Sequence, residues 1–493
     1  MSRLLPMRQG KPDESLVSLL GDVSVGRGPA ADAASAALGS GLRAVDLQAC
    51  GQTLVRAGDL ARAEIVFAAL ARSHPETPAG AVGLAEVSVA LADWSRALLA
   101  WESLVTAFPD HANLPYWQSQ VAHALMEMGR SAQAESLLRE LIAKSPEALR
   151  YVHTLGALLF RSGRWEEALA TTVAYATVNT APAHQATLAR LRLEILGRRA
   201  PEIGRAEFAG LMARPPSADM LTVLFELTPA LFEKAERTAI WSELLAKAVD
   251  CDDCGVLRLR TRLALRDDEG FLRDMHQADP GAPYRRLLDR TADILAGAPS
   301  SSRPKVFVIG LSKTGTTSLA QALGTLGWQV ADWRNPLTME LVTEDDFGVF
   351  DAGVDTPVSV RFEALRHRFP NAKFVYTVRE KEAWVDALLR HLRRNVGATS
   401  WEEMRTAAPA YYGRELHSIH QELYFRYADP AEAWTAWDRR VRSSFQNAPK
   451  SRFLVFDVFA GHGWPELCRF LRVRAPKHPF PWTNRDPTMG APA

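Results

Sequence analysis

The sequence predicts a multidomain protein in which an all-α helical repeat domain precedes an α/β domain with a central parallel sheet. The first half holds helical patterns that recur every 34 to 37 residues, and residues 306–326 have the pattern of a buried strand, a Gly/Thr-rich turn and a helix. Between these regions, Ala296–Arg303 is short, polar and rich in small residues, as linkers are. A chain of 493 residues is long enough for both parts.

The composition is that of a soluble globular protein, with 47% hydrophobic and 23% charged residues. With 58 basic and 57 acidic side chains the formal net charge is +1, which gives no general case for binding nucleic acid or a membrane surface. No run of about eighteen apolar residues occurs, and the N-terminus lacks the apolar core of a signal peptide. We therefore expect a cytoplasmic protein without a membrane span.

Cysteine usage predicts neither a disulfide framework nor a metal site. The four cysteines include one CxxC pair, Cys251 and Cys254. Zinc usually needs a second such pair, which the sequence does not contain. No metal is therefore expected in this protein.

The N-terminal segment 1–42 is expected to be flexible. Gly26–Gly41 is rich in Gly, Ala and Ser, and only Glu14–Leu20 has the pattern of a short helix. The first predicted folded domain therefore begins at residue 43.

From about Arg43 the sequence predicts a series of similar helical hairpins. An alanine and, further on, a proline recur in steps of 34 and 37 residues: Ala63, Ala97, Ala134 and Ala168, and Pro75, Pro109 and Pro146. The small alanine lets the two helices of one unit approach closely, and the proline ends the second helix because it cannot continue the hydrogen-bond ladder. Chance similarity of alanine-rich helices is the alternative, but it does not explain why two residue types keep one spacing.

This region resembles tetratricopeptide repeats, which are helix–turn–helix units of about 34 residues. The resemblance is clear over 43–180, while 181–295 stays helical without a clear repeat and is interpreted as degenerate repeats or a helical cap. Such arrays stack into a superhelix with a concave face. For a domain spanning 43–295, the resemblance implies that this face binds a protein or peptide partner, or a neighbouring domain.

The second half is organised around the strand–turn–helix motif at 306–327. Val306–Ile309 is a β-branched and aromatic run typical of a buried strand, and apolar residues then recur at helical spacing up to Gly327, the expected C-cap. The turn between them contains Lys313 and several hydroxyl residues. A helix N-terminus of this kind binds anions, because its first backbone N–H groups lack partners and its dipole favours negative charge.

The spacing of this motif differs from the phosphate loop of nucleotide triphosphatases, G-x-x-x-x-G-K-[ST]. Thr316 stands where a lysine should follow Gly315, and the only lysine comes three residues earlier. The loop instead resembles that of the sulfotransferase superfamily, (K/R)-x-G-(T/S)-(T/S)-x-L, which holds the phosphosulfate end of 3′-phosphoadenosine-5′-phosphosulfate (PAPS). Leu319 matches the last position of this motif. The resemblance implies that PAPS is bound by Lys313, Thr314, Gly315, Thr316, Thr317 and Ser318.

The same resemblance assigns a second phosphate contact to the end of the strand predicted at Lys373–Val378. In sulfotransferases an arginine at this place grips the 3′-phosphate of PAPS, and Arg379 occupies it. A serine eight residues later shares this role in the family, but the position here is Ala387, which cannot donate a hydrogen bond. A surface salt bridge is the alternative role of the arginine. The candidates to replace the missing serine are Arg390, His391, Arg393 and Arg394.

Asp355 is the predicted general base. Family members place a catalytic histidine or carboxylate two residues before a proline in the corresponding segment, and Asp355 stands two residues before Pro357. The resemblance implies that it takes the proton of the acceptor as the acceptor attacks sulfur, while Lys313 stabilises charge on the leaving phosphate. Capping of the following helix is the alternative role of this aspartate. Weaker base candidates are Asp332, Asp351, His367 and His391.

The end of the chain supplies weaker site candidates. After a strand predicted at Arg452–Val458, the stretch that begins with Gly463 and Trp464 resembles the family's closing segment, which often covers the 3′-phosphoadenosine. Helix packing explains these two residues equally well, and residues 479–484 resemble the family's terminal coil. The region 391–447 is expected to supply much of the acceptor pocket, with the aromatic residues Tyr411, Tyr412, Trp434 and Trp437.

The resemblance as a whole predicts a PAPS-dependent sulfotransferase domain of P-loop type at 304–493, which moves a sulfuryl group to a hydroxyl or amine. The acceptor stays open among a protein, a carbohydrate, a lipid and a small metabolite. One alternative is an interaction scaffold with an inactive α/β domain, which Ala387 favours. A less well supported alternative is a phosphotransferase, which the missing lysine after Gly315 disfavours.

Overall fold

The structure is a computed structural model that describes most of the chain. The described residues are 43–56, 60–91, 93–276, 279, 284–298, 303–396, 398–476 and 480–481. The segment 1–42, with the helix predicted at Glu14–Leu20, lies outside them, as does most of the terminal coil predicted at 479–484.

The internal contacts divide the chain into two compact units, with the boundary in the chain between Ala134 and Glu135. The second unit continues to Val473 and contains both helices and the whole sheet. The helices between Glu135 and Leu295 thus belong to the same unit as the sheet. The sequence predicted one domain that ends at residue 295 and another that begins at residue 304. That these two regions fold independently stays a prediction.

The first unit is helical in its described part. Its helices are α1 (Ala44–Arg56), α2 (Leu60–Ser73), α3 (Ala79–Ala90), α4 (Trp94–Ala107) and α5 (Leu114–Glu127), and α6 (Ser131–Lys144) begins in it. Asp93 begins α4 by accepting a hydrogen bond from the backbone N–H of Arg96 through its side chain, as N-cap residues do.

The second unit continues with helices up to residue 295. They are α7 (Leu149–Arg161), α8 (Trp165–Val178), α9 (Pro182–Arg199), α10 (Pro201–Ala213), α11 (Ala218–Leu231), α12 (Lys234–Val249), α13 (Gly255–Ala264), α14 (Asp268–Met275) and α15 (Arg285–Leu295). This confirms the predicted helices in the described residues of 181–295.

The four repeat alanines lie fully buried, which confirms the predicted role of the small residue in close helix packing. They sit at the same place in four helices, each beginning three residues earlier: Leu60, Trp94, Ser131 and Trp165. Each repeat proline follows the end of its helix by two residues, at Pro75, Pro109 and Pro146. The spacing in the sequence is therefore the spacing of the helices.

The α/β part is built on a five-stranded sheet in the order β2-β3-β1-β4-β5, with every neighbouring pair parallel. The strands are β1 (Val306–Val308), β2 (Val330–Asp332), β3 (Ala352–Val354), β4 (Lys373–Thr377) and β5 (Phe453–Phe456). The apolar runs predicted the first, fourth and fifth strands. The second and third were not predicted, because three residues are too short to show a pattern.

Helices surround this sheet: α16 (Thr316–Thr325), α17 (Thr356–Val360), α18 (Phe362–Arg368), α19 (Lys381–Val396), α20 (Trp401–His420), α21 (Pro430–Phe445) and α22 (Trp464–Leu471). A π-helical turn, Gln421–Phe425, follows α20. Gly327 has φ +84° just after α16, so the predicted C-cap glycine is confirmed. None of the described helices is long and apolar enough to cross a membrane.

The CxxC pair joins two helices of the second unit. Cys251 and Cys254 form a disulfide at the short turn between α12 and α13, and Cys254 is buried. Cys50 and Cys468 are buried free thiols. The disulfide was not predicted from the sequence.

Candidate active site

The loop from Ile309 to Gly315 leaves the middle strand of the sheet and enters α16. The strand order changes direction at β1, which lies between β3 and β4, and ligands of open α/β sheets bind at such a point. Gly310 leaves no room for a side chain, because an added Cβ would stand 1.7 Å from Oγ1 of Thr377. Gly315 has φ +95°, and an added Cβ would stand 2.7 Å from Val458. The loop therefore needs both glycines.

Two aromatic side chains from distant helices hold the loop at Ser312. The hydroxyl of Tyr424 accepts a hydrogen bond from the Ser312 backbone N–H at 2.9 Å and donates to its Oγ at 3.0 Å. The indole N–H of Trp384 donates to the Ser312 carbonyl at 2.7 Å. Because Tyr424 and Trp384 are almost fully buried, they fix the backbone directly before Lys313.

The hydroxyl residues of the predicted PAPS-binding set differ in what they can offer a ligand. Thr314 is buried, and its hydroxyl is engaged with the Leu311 carbonyl at 2.6 Å and the Thr377 hydroxyl at 2.7 Å. Its hydroxyl therefore fastens the loop to the end of β4. Thr316 and Ser318 are buried in the first turn of α16, and Thr317 is exposed.

Lys313 and Asp355 stand close enough to interact across the carboxyl edge of the sheet. Asp355 follows β3, is partly buried and caps α17 by accepting the Thr356 N–H at 2.6 Å. Burial raises the pKa of the Asp355 carboxyl above its ordinary value, while the Thr356 N–H and the Lys313 charge oppose the rise. The capping role is thus observed, and it leaves one carboxylate oxygen without that bond.

Asp332 adds a second carboxylate at the same edge. It ends β2 in register with Val354, the residue before Asp355. The side chain is exposed, yet partial desolvation by the surrounding protein raises its pKa to about 6, and the charge of Asp355 adds to the rise. The charge of Asp355 therefore acts on Asp332 across this edge of the sheet.

Backbone strain is concentrated at this edge. Trp333 and Asp355 have positive φ, +62° and +75°, directly after β2 and β3, and Lys313 has φ +68° in the loop that follows β1. Such conformations cost of order 1–3 kcal/mol each and are found mainly at functional sites. The strain agrees with a site made by the ends of β1, β2 and β3.

Arg379 follows the end of β4, the neighbour of β1 on the other side. Its side chain is 8% exposed, and its guanidinium lies 4.2 Å from the ring centre of Phe459. Trp434 donates its indole N–H to the Arg379 carbonyl at 3.2 Å. The arginine is thus held in a fixed place beside the loop.

The helix α19 carries Ala387 and the residues that are candidates to replace the missing serine. Glu380 accepts the backbone N–H groups of Glu382 at 3.1 Å and Ala383 at 2.8 Å, and so caps α19. Ala387, in this helix, is partly buried. Of the candidate replacements, Arg390 and Arg393 are exposed and His391 is partly buried, while the side chain of Arg394 lies outside the described residues.

The segment after β5 approaches the site with residues other than those predicted. Val458 contacts Gly315 and Phe459 covers Arg379. Gly463 and Trp464 instead begin α22 and are both buried, with Gly463 donating its backbone N–H to Glu466 at 2.9 Å. Val458 and Phe459 therefore make the described contacts at the site, and the cofactor role of Gly463 and Trp464 stays a prediction.

Two of the weaker base candidates lie away from the loop. Asp351 precedes β3, at the opposite end of the strand from Asp355, and pairs with Arg290 at 2.7 Å. The ion pair lowers the pKa of the Asp351 carboxyl despite its burial. His367 is exposed on α18. Asp351 therefore fastens α15 to the sheet.

Sequence reasoning missed Ser312, Tyr424 and Thr377 as members of the site. Tyr424 lies in the region 391–447 that was expected to supply the pocket, but nothing in the sequence marks it over the other aromatic residues. Trp437, which was named there, is buried and donates its indole N–H to the Ile309 carbonyl at 3.3 Å, so it supports β1. Among the described residues, no group of three or more His, Cys, Asp or Glu side chains could hold a metal ion.

Family comparisons match the two parts of the chain separately. Residues 305–489 match the family described as sulfotransferase domain, and residues 51–112 and 120–183 match the family described as tetratricopeptide repeat. The chain therefore carries a sulfotransferase domain toward its C-terminus and tetratricopeptide repeats in its N-terminal half.

Two individual proteins resemble parts of the chain. "Ava biosynthesis cluster protein M" of Aspergillus versicolor is 26% identical over 213 residues, which cover 36% of this chain and 79% of that protein. The crystal structure of a tetratricopeptide repeat protein from Parabacteroides merdae is similar with a TM-score of 0.28 and 16% sequence identity. The match covers 52% of this chain and 99% of that protein's chain. The fold assignment rests on the family matches and on the described helices and strands.

Proposed function

We propose that the sulfotransferase domain transfers a sulfuryl group from PAPS to a hydroxyl or amine of its acceptor. The observation that carries this proposal is the convergence of Lys313, Asp355 and Arg379 at one edge of the sheet. A cation in an anion-binding loop, a carboxylate with a raised pKa and a second fixed cation are the groups that this reaction uses.

The residues present fit the two charged ends of PAPS. Gly315 lets the backbone enter α16 without a side chain, so the first N–H groups of the helix can face the phosphosulfate. Arg379, one strand away, is placed to bind the 3′-phosphate, and Phe459 lies against its guanidinium. Ala387 supports the second candidate, a scaffold that binds PAPS without turnover, because one hydrogen bond to that phosphate is missing.

The proposed reaction is an in-line displacement at sulfur. The acceptor oxygen or nitrogen forms a bond to sulfur, and the bond from sulfur to the 5′-phosphate oxygen breaks. That oxygen keeps the electron pair, and Lys313 stabilises its charge as adenosine 3′,5′-bisphosphate leaves. The acceptor proton passes to Asp355, whose raised pKa favours this transfer.

We also propose that the tetratricopeptide repeats bind a protein or peptide partner. Stacked helical repeats form extended surfaces for such binding, and the buried alanines show that these helices pack closely.

Binding of adenosine 3′,5′-bisphosphate tests the cofactor site directly. We expect saturable binding by calorimetry in the presence of EDTA, weakened roughly tenfold or more in Lys313→Ala and in Arg379→Ala, because each removes a charge-assisted contact to phosphate. Lys450→Ala, at an exposed position outside the site, should bind like the wild type.

The same titration separates the alternatives. Absence of binding by folded wild type would contradict the enzyme proposal and favour the scaffold. Binding of ATP that requires Mg²⁺ would favour a phosphotransferase. Binding of the bisphosphate without transfer to any acceptor in a panel of phenols, amines and sugars would favour a scaffold that retains the cofactor site.

The pH dependence of turnover tests which carboxylate acts as the base. A base must be deprotonated, so kcat/KM should rise with pH through the raised pKa of Asp355. Asp332→Asn should leave this acidic limb in place, because the pKa of Asp355 is set by burial and by the opposing effects of the Thr356 N–H and the Lys313 charge. Profiles of kcat/KM for wild type and Asp332→Asn check this, and a limb that moves or disappears in Asp332→Asn would contradict the assignment of the base to Asp355.

A further inference from the structure

Two arginines at the end of α9, Arg198 and Arg199, lie on one side of the proposed site. The guanidinium of Arg198, near the end of α9, lies 5.5 Å from the ring centre of Phe160 and 5.9 Å from that of Tyr411. Arg199 lies 5.8 Å from the same Tyr411 ring and donates to the Val396 carbonyl at 3.1 Å. The end of α9 is therefore in contact with α20 of the sulfotransferase domain.

Aromatic rings connect this place to the reacting groups. The rings of Tyr411 and Tyr412 lie 4.7 Å apart, those of Tyr412 and His420 lie 4.3 Å apart, and those of His420 and Tyr424 lie 5.5 Å apart. Tyr424 holds Ser312, the residue before Lys313. A continuous aromatic wall thus runs from the anion-binding loop to Arg198, in which Tyr411 and Tyr412 are partly exposed and His420 and Tyr424 are buried behind them.

A third arginine approaches from the loop after β2. Arg334 stands two residues beyond Asp332, stacks on Trp333 at 4.8 Å, and donates to the Met339 carbonyl at 2.7 Å. Burial first, and then the nearby charges of Arg237 and Arg198, lower the pKa of Arg334 to about 10, while Glu415 and Glu340 oppose the change. Arg334 is therefore partly desolvated, while Arg198, whose charge it senses, is exposed at the end of α9.

The nearby glutamates are already engaged. Arg237, which is buried, binds Glu415 at 3.0 Å and Glu340 at 3.5 Å. Within the described part of the chain, neither Arg198 nor Arg334 has a carboxylate at ion-pair distance. Glu194 lies one turn before Arg198 on the same helix, and burial raises the pKa of its carboxyl, while the charges of Arg190 and Arg198 oppose the rise.

We propose that the acceptor carries an anionic group, such as a carboxylate, which Arg198 and Arg334 bind while the aromatic wall contacts its apolar body. The inference rests on the proposed function, since it names the acceptor class of that reaction. It also gives the end of α9 a role in recognising the substrate.

Matched phenols test this inference without turnover. 4-Hydroxyphenylacetate, its neutral counterpart 4-ethylphenol and the cation tyramine are titrated by calorimetry into protein saturated with adenosine 3′,5′-bisphosphate, a complex that cannot react. We expect the anion to bind roughly tenfold or more tightly than the neutral phenol, and the cation most weakly. Arg198→Gln and Arg334→Gln should each remove most of this preference and leave binding of 4-ethylphenol unchanged.

The control is Arg286→Gln, an exposed arginine on α15, which should keep the full preference for the anion. Equal binding of the three phenols to wild type, or a preference that survives Arg198→Gln, would overturn the inference. The titrations are repeated without the bisphosphate, so that they report on the anion site in either case. A bisphosphate that fails to bind contradicts the proposed function alone.

Discussion

Asp355→Asn is expected to lower kcat by roughly 10²–10⁴-fold, the usual contribution of a positioned general base. Asparagine has nearly the same shape, tolerates positive φ and can still accept the Thr356 N–H, so the start of α17 and the strained backbone should persist. Turnover falls because the amide cannot take the proton of the acceptor. The measurement is kcat with saturating PAPS, together with the affinity for adenosine 3′,5′-bisphosphate.

Two results distinguish a base from a cap. Asp345→Asn, an exposed aspartate that pairs with Arg368, is the matched control and should keep wild-type turnover. If Asp355→Asn retained full kcat, Asp355 would only cap α17, and Asp332 would become the leading base at this edge. Unchanged bisphosphate affinity is expected, because Asp355 is not among the proposed phosphate contacts.

Arg260→Met is expected to destabilise the second unit by roughly 3–5 kcal/mol, the usual cost of removing one partner from a buried ion pair. The Arg260 side chain is 2% exposed and donates to Glu226 at 2.7 Å and to the carbonyls of Pro336 and Leu337, each at 3.1 Å. Its loss leaves the partly buried Glu226 with Arg190 as its remaining described ion-pair partner. Methionine fills much of the volume, so the lost charge is the main change.

Urea denaturation of the full chain, followed by tryptophan fluorescence, measures this loss. Arg258→Met on the same helix is the control, since its described hydrogen bond is a long one of 3.4 Å to the Val249 carbonyl near the surface. Adding Glu226→Gln to Arg260→Met should recover part of the stability, because it removes a carboxylate that has lost one of its two described ion-pair partners. Equal midpoints for wild type and Arg260→Met would show that this pair does not hold the helices to the sheet region.

The Arg260 contacts also bear on the site. Pro336 and Leu337 lie in the loop that begins after Asp332 and carries Arg334, so a residue of α13 helps to fix that loop. Arg237 of α12 reaches the same loop through Glu340. The helices before residue 295 therefore support the acceptor side of the proposed site.

Much of the fold was predictable because it follows from local patterns in the sequence, such as residue spacing and apolar runs. The spacing of Ala63, Ala97, Ala134 and Ala168 is the spacing of the repeat helices, since close packing at one point of each hairpin demands a small residue there. The apolar run before Gly310 predicted β1, because a central strand is buried on both faces. The turn with Lys313 and Gly315 was likewise predictable from a strand that feeds a helix N-terminus.

The sequence by itself determined the helical repeats, the strand–turn–helix motif and the residue types placed in it, because neighbours in the chain make these features. Only the tertiary structure decided that Tyr424 holds Ser312 across 112 residues, that Asp332 faces Asp355, and that Arg260 reaches Leu337 across 77 residues. Such contacts depend on where the sheet order and helix packing bring distant segments together. A side chain carries no local mark of the partner that folding will place beside it.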